Sequence, residues 1–308
     1  MKLVNLVLVS ILSSTLLAQA PSPAAKPAGP TVQLSLIVTD SKNKSLNQVS
    51  KDDVHVIEDK VEQKVLSIAP DERPVDLVLA IDSSNSLRSL MRTVFEAAQL
   101  VIVNRRPEDE ILLMRFISSD KIENLTDFTH DGDALNAGLR KITIEGGQSA
   151  VIDALYVGAG VFEDFKKLSA DRRKVAVIIT DGEDRNSHYK QEALVKKLRE
   201  SGVQIFALGL VTELDRESGL VRKSPRDKAE SLLKMVTEET GGRVFFPRNR
   251  TELLDSMTQI ISDLRGQFRL TYQSSNGEKK GFKNVEVKLI SSSGEKRKAI
   301  VPRGYGSQ

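Results

Sequence analysis

The 308-residue chain has no cysteine, which excludes disulfides, thiolate metal centres and cysteine nucleophiles. Aromatic residues are only 5% of the total and the formal net charge is only +3, so nothing global directs the chain to nucleic acid. No G-x-x-x-x-G-K-[ST] loop is present to cradle a phosphate. Histidine is scarce: His55, His130 and His188 are the whole supply for imidazole chemistry. What the chain does have is 40% hydrophobic and 28% charged residues, enough for one large or two modest globular domains.

The first twenty residues, MKLVNLVLVSILSSTLLAQA, combine a positive start at Lys2, an apolar run and an Ala18-Gln19-Ala20 cleavage pattern. This reads as a secretory signal peptide. A membrane anchor is the other reading, but a spanning helix wants about 20 unbroken apolar residues, and this run carries three serines and an asparagine. No cysteine follows to carry a lipid. The expected mature chain therefore has no transmembrane segment and is exported, to a periplasm or beyond the cell. Residues 21–30, PSPAAKPAGP, read as an extended Pro/Ala linker.

From Thr31 the texture alternates apolar with polar residues (Val32, Leu34, Leu36, Val38), the mark of half-buried strands. Apolar β-rich runs then recur at residues 75–81, 111–117, 174–180 and 203–210, with helical stripes between them. One stripe begins at Leu87, and another runs from Leu253 to Leu264 with Thr251 as its N-cap. A short antiparallel edge strand is expected at residues 123–128. Repeated βα units predict an α/β domain over residues 73–264 with a doubly wound, mostly parallel sheet. After Gly266 the alternating texture returns, with turn signals at Asn276-Gly277 and Ser293-Gly294. Neither flank, 31–72 or 265–308, has enough strands to close a core. The two are expected to pair into one small β-sandwich with the α/β domain inserted between them. The C-terminal flank carries a net charge of +7, read as a solvated sheet face.

The stretch LAIDSSNSLRSL carries the chemistry. A buried run stops at Asp82, and Ser84 and Ser86 follow at alternate positions. A second run ends in Thr180-Asp181-Gly182, and Gly146-Gly147-Gln148-Ser149 precedes a third helix. In doubly wound sheets, ligands sit at the carboxyl ends of the strands, where strand order reverses. Two carboxylates and three hydroxyls from three loops suit a small hard dication such as Mg²⁺. The competing reading makes the serines helix caps. Half of a G-x-S-x-G elbow at residues 147–151 lacks its second glycine, and a Ser149–His188 catalytic pairing is a weak alternative.

Asp82-x-Ser84-x-Ser86, Ser149 and Thr180-Asp181-Gly182 resemble the metal-ion-dependent adhesion site of von Willebrand factor type A domains. The resemblance covers residues 73–264, and the flanks resemble those of a secreted bacterial subgroup. It implies that Ser84 and Ser86 ligate the cation directly and that Asp82 and Asp181 act mainly through water. Ser149 stands where the family usually has Thr. Mg²⁺ is favoured, with Mn²⁺ and Ca²⁺ as alternatives. Gly182, Glu183 and Asp184 would form the ligand-binding rim. The implied function is non-enzymatic: capture of an Asp or Glu on a protein, envelope or matrix partner. A structural or assembly protein in which the metal only stabilises is the second reading.

Overall fold

The computed structural model describes residues 29–165, 171–214, 224–275, 280–290, 294 and 296–307. The signal-type segment 1–20, the linker up to residue 28 and the turn signals at Asn276-Gly277 and Ser293 lie outside the described residues.

Three N-terminal strands, β1 (Thr31–Thr39), β2 (Val54–Glu58) and β3 (Val61–Pro70), open the chain. Four more close it: β10 (Phe268–Gln273), β11 (Gly281–Leu289), β12 (Lys298–Ile300) and β13 (Gly304–Ser307). They form one antiparallel sheet in the order β12-β1-β10-β3-β2-β11-β13. The first and last parts of the chain are thus interleaved: β10 lies between β1 and β3, and β11 pairs with β2.

The seven strands form one hydrogen-bonded sheet that draws on both flanks. The sheet curls around its own core. Val32, Leu34, Leu36 and Val38 of β1 pack with Val54, Val56, Leu270, Tyr272 and Val285, and β12 is brought near β11. A register shift between Thr271 and Tyr272 supplies local bending. Ile37, on the opposite face of β1, is buried in the core of the neighbouring α/β module and so docks one module on the other.

That module contains β4 (Val75–Asp82), α1 (Met91–Val103), β5 (Glu110–Phe116), β6 (Ile122–Asn124), α2 (Gly132–Arg140) and α3 (Val151–Asp164). It continues through β7 (Arg173–Thr180), α4 (Gln191–Ser201), β8 (Gln204–Gly209), α5 (Pro225–Thr240), β9 (Val244–Phe245) and α6 (Arg250–Arg265). The sheet order is β6-β5-β4-β7-β8-β9, parallel throughout except for β6. Every residue of β4 is buried, because helices cover both faces. Leu77, Leu79 and Ile81 face α1, α2 and α6, while Val78 and Ala80 face α3, α4 and α5.

Three boundaries differ from the sequence reading. The edge strand is shorter, at Ile122–Asn124. Helix α1 starts at Met91, four residues after Leu87, because a 3-10 turn over Asn85–Leu87 intervenes. Asn249, and not Thr251, caps α6. Its Oδ1 accepts the Glu252 N–H at 2.9 Å, while Glu252 Oε2 accepts the N–H of the preceding residue, Arg248, at 2.9 Å, and the two bonds together fix the start.

Candidate metal-ion site

Chain order places the site. From β4 the chain moves outward to β5 and β6 on one side, then crosses to β7, β8 and β9 on the other. The loops leaving the carboxyl ends of β4 and β7 therefore diverge, and a crevice opens between them. Asp82 is the last residue of β4, and Asp181 follows the last residue of β7.

Hydrogen bonds bring four of the five expected ligands into one network. Oδ1 of Asp82 accepts the Ser84 N–H at 2.9 Å, and Oδ2 accepts the Thr180 hydroxyl at 2.7 Å. The Ser84 and Ser86 hydroxyls lie 3.0 Å apart. Ser86 also hydrogen-bonds the Asp181 side chain. Asp82 and Ser84 are buried, whereas Ser86 is exposed, so the network runs from the sheet edge to solvent.

Ser149 belongs to the neighbouring loop and is joined less directly. Its carbonyl accepts the Arg185 N–H at 2.8 Å, which ties it to the segment after Asp181. The same loop is tied to β4 by Glu145, whose N–H donates to the Ser83 carbonyl at 3.2 Å. A Cβ at Gly147 would lie 2.4 Å from Cγ2 of Ile117, so glycine lets this loop settle against β5.

The serine row is not a set of helix caps. Ser84 precedes the 3-10 turn, but its side chain makes no capping hydrogen bond. The residue at the N-cap of α1 is Leu90, also without a side-chain cap. The hydroxyls are directed at each other and at Asp181.

The expected rim divides by role. Gly182 is buried, with φ +76° and its backbone close under Leu233. Its N–H donates to the Thr180 hydroxyl at 3.0 Å, so glycine makes the turn that presents Asp181. Glu183 pairs with Arg185 at 2.6 Å. Asp184 Oδ1 accepts the Ile152 N–H at 3.1 Å and so caps the start of α3. All three line a cleft of about 480 Å³ shared with Lys228 and Leu232 of α5.

Thr180 stood in the sequence motif without a role of its own, and Asp153 was missed. Thr180 bridges the two strand ends. Asp153, one turn into α3, is buried and accepts the His188 and Tyr189 N–H groups at 2.8 and 2.9 Å and the Ser119 hydroxyl. An acid at a predicted helix start was the only signal for it. The His188 ring packs edge-on against Tyr189, and no strand leads directly into Ser149 as a nucleophile elbow requires.

Electrostatics sharpen the picture. Burial, then the neighbouring Asp181 charge, pushes the Asp82 carboxyl up to about 6. Burial also raises that of Asp181. Among the described residues neither carboxylate has an ion-pair partner, since nearby Arg185 engages Glu183. Two buried acids beside hydroxyls, with no basic side chain bonded to them, form an oxygen-only donor set short of positive charge. That fits a hard divalent cation. Among the described residues there is no group of three or more His, Asp or Glu suited to a metal, so an ion held here would depend on the hydroxyls.

Comparison with known proteins places these features. Mouse matrilin-3 is 29% identical over 158 residues, a match spanning 47% of this chain and 31% of matrilin-3. Human matrilin-3 is 29% identical over 150 residues, 45% of this chain and 29% of that protein. The chain thus spans about a third of the length of these curated relatives. Among solved structures, the pilus adhesin SpaC from Lactobacillus rhamnosus GG superposes with a TM-score of 0.50 at 11% identity, covering 87% of this chain and 50% of SpaC. Proximal thread matrix protein 1 from the mussel byssus also gives 0.50, at 15% identity, covering 64% of this chain and 49% of that one. Both are likenesses of fold. The family model of the von Willebrand factor type A domain matches residues 76–261, and the chain belongs to that family.

Proposed function

We propose that the protein is an exported binding module that captures an acidic side chain of a partner through a divalent cation, Mg²⁺ in the first instance. The observation that carries this reading is the pair Asp82 and Asp181, two buried carboxylates at adjacent strand ends with raised affinity for protons and, among the described residues, no ion-pair partner. Ser84, Ser86 and Ser149 would hold the ion through hydroxyls, with Asp82 and Asp181 orienting it. The bound ion supplies an electrophilic centre for one carboxylate from outside. Exposed Ser86 marks the side from which that group arrives, and the cleft along Gly182, Glu183 and Asp184 accommodates the chain that carries it.

The signal-type N-terminus supports export, and the adhesin and matrix proteins among the relatives support binding over catalysis. No helix among the described residues is long and apolar enough to cross a membrane.

The test is calorimetric titration with Mg²⁺ and Mn²⁺ of wild type, Asp82→Ala and Ser149→Ala. It is followed by capture of an immobilised Asp/Glu-rich peptide with and without chelator. Saturable binding lost in Asp82→Ala, and capture lost with chelator, are expected. A wild type that binds neither ion at millimolar concentration would refute the reading.

A further inference from the structure

The cleft beside the candidate ion site has α5 as one wall. That helix packs directly on the turn that presents Asp181: a Cβ at Gly182 would lie 3.1 Å from Cβ of Ala229 and 2.9 Å from Cδ1 of Leu233. Lys228 precedes Ala229, is exposed, and lines the same cleft as Gly182.

Three charged side chains line this cleft: Glu183, Asp184 and Lys228. The two acids are already engaged within the protein. Glu183 pairs with Arg185 at 2.6 Å. Asp184 Oδ1 accepts the Ile152 N–H at 3.1 Å and the Ser187 hydroxyl. Lys228 differs: among the described residues its ammonium has no ion pair, and only its backbone N–H is bonded, to the Ser224 carbonyl at 3.1 Å. Ile152 of α3 and Ala229 and Leu232 of α5 add apolar surface between the walls. The cleft thus joins a place for a dication to an unengaged cation across a short apolar stretch. Charge arranged in this way selects partners more than it tightens them.

We propose, resting on the reading of the ion site above, that the partner presents two acidic residues on one extended segment with an apolar residue between them. The first acid completes the coordination of the ion, the apolar residue lies against Ile152 and Leu232, and the second acid pairs with Lys228. An extended chain advances about 3.3 Å per residue, so an acid two or three residues on stands roughly 7–10 Å from the first. A segment with a basic residue in the second position is rejected by like charge.

The test is fluorescence polarisation of labelled peptides on the full chain in Mg²⁺, repeated in chelator. Gly-Asp-Leu-Glu-Gly and Gly-Asp-Leu-Gly-Glu-Gly are each compared with a counterpart carrying Gln in place of Glu. At least one diacidic peptide should bind about threefold tighter than its counterpart, the scale of one partly exposed ion pair, and only with Mg²⁺ present. Lys228→Gln should erase that preference and Lys228→Glu should reverse it. Lys196→Gln, which removes an exposed charge on α4, should keep it. Calorimetric titration with Mg²⁺ alone keeps the two readings apart. Ion binding with neither diacidic peptide preferred overturns this inference alone, as does a preference that survives in Lys228→Gln or in chelator. A chain that binds no Mg²⁺ at millimolar concentration overturns the reading of the ion site and this inference with it.

Discussion

The Thr180 hydroxyl donates to Oδ2 of Asp82 at 2.7 Å, across the seam where β4 and β7 part. The Thr180 hydroxyl oxygen in turn accepts the Gly182 N–H at 3.0 Å. One hydroxyl thus fixes a carboxylate on one loop and the turn that presents Asp181 on the other. Thr180→Val keeps the shape and removes both bonds, leaving a buried carboxylate oxygen and a buried N–H unpaired. A stability loss of about 1–3 kcal/mol is expected, together with weaker Mg²⁺ binding. Urea unfolding and calorimetry on the same preparation check this. Unchanged ion affinity would show that Thr180 serves the fold alone.

Ser86 separates function from stability. It is exposed and touches only Ser84 and Asp181 in the site network. Ser86→Ala should leave stability within about 0.5 kcal/mol of wild type, as for most surface changes, yet lower Mg²⁺ affinity by roughly tenfold or more. If stability falls while ion binding is intact, the hydroxyl is a structural brace.

The pH response of the metal-free protein follows from Asp82. Its carboxyl is raised to about 6 by burial and by Asp181, against roughly 3.9 in an unfolded chain. The folded state therefore binds more protons between these values. Asp82 contributes stability that is fully present below the lower value and is lost as pH rises through about 6. Asp181 is shifted in the same sense. Asp82→Asn should gain stability relative to wild type as pH rises over this window in chelator. Thermal melts of the pair from about pH 4 to about pH 7 test it, and a constant difference would contradict the assignment.

Asp71 behaves oppositely. Burial alone would raise its carboxyl, but the Arg73 hydrogen bonds and the Arg173 and Arg73 charges hold it below the usual carboxylate range. Its contribution is present above the unfolded value and is lost as pH falls through the folded one. Its N–H also donates to the Gln267 carbonyl at 2.8 Å, where the two inter-module connections meet. Asp71→Asn keeps that bond but leaves Arg73 and Arg173 without their acid. It should cost roughly 3 kcal/mol at neutral pH, and the deficit should shrink in acid. Equal deficits at both pH values would count against the ion-pair account.

Gly182 tests the turn. At φ +76° a Cβ would lie 2.9 Å from Cδ1 of Leu233. Gly182→Ala is expected to destabilise by about 1–3 kcal/mol and to weaken ion binding by displacing Asp181. Denaturation and titration together measure both, and an alanine variant with wild-type values for each would show that the loop re-forms freely.

The sequence by itself determined the elements and their order. The runs that became β4, β7 and β8 are apolar at nearly every position because both faces are covered, and that composition is readable without coordinates. The alternation in β1 likewise marks one buried face. That Asp82, Ser84, Ser86 and Asp181 come together could be expected, because each lies at or just after a strand end and strand ends in a doubly wound sheet converge.

Tertiary structure alone decided the rest, for one physical reason: contacts between residues far apart in the chain leave no local pattern. The choice of Thr180 as the bridge to Asp82, 98 positions away, needed β4 and β7 side by side. Asp153 looked like any acid at a helix start until the loop at 187–189 folded over it. The flanks showed strands but not their order. The placement of β10 between β1 and β3 rests on pairing between segments far apart in the chain.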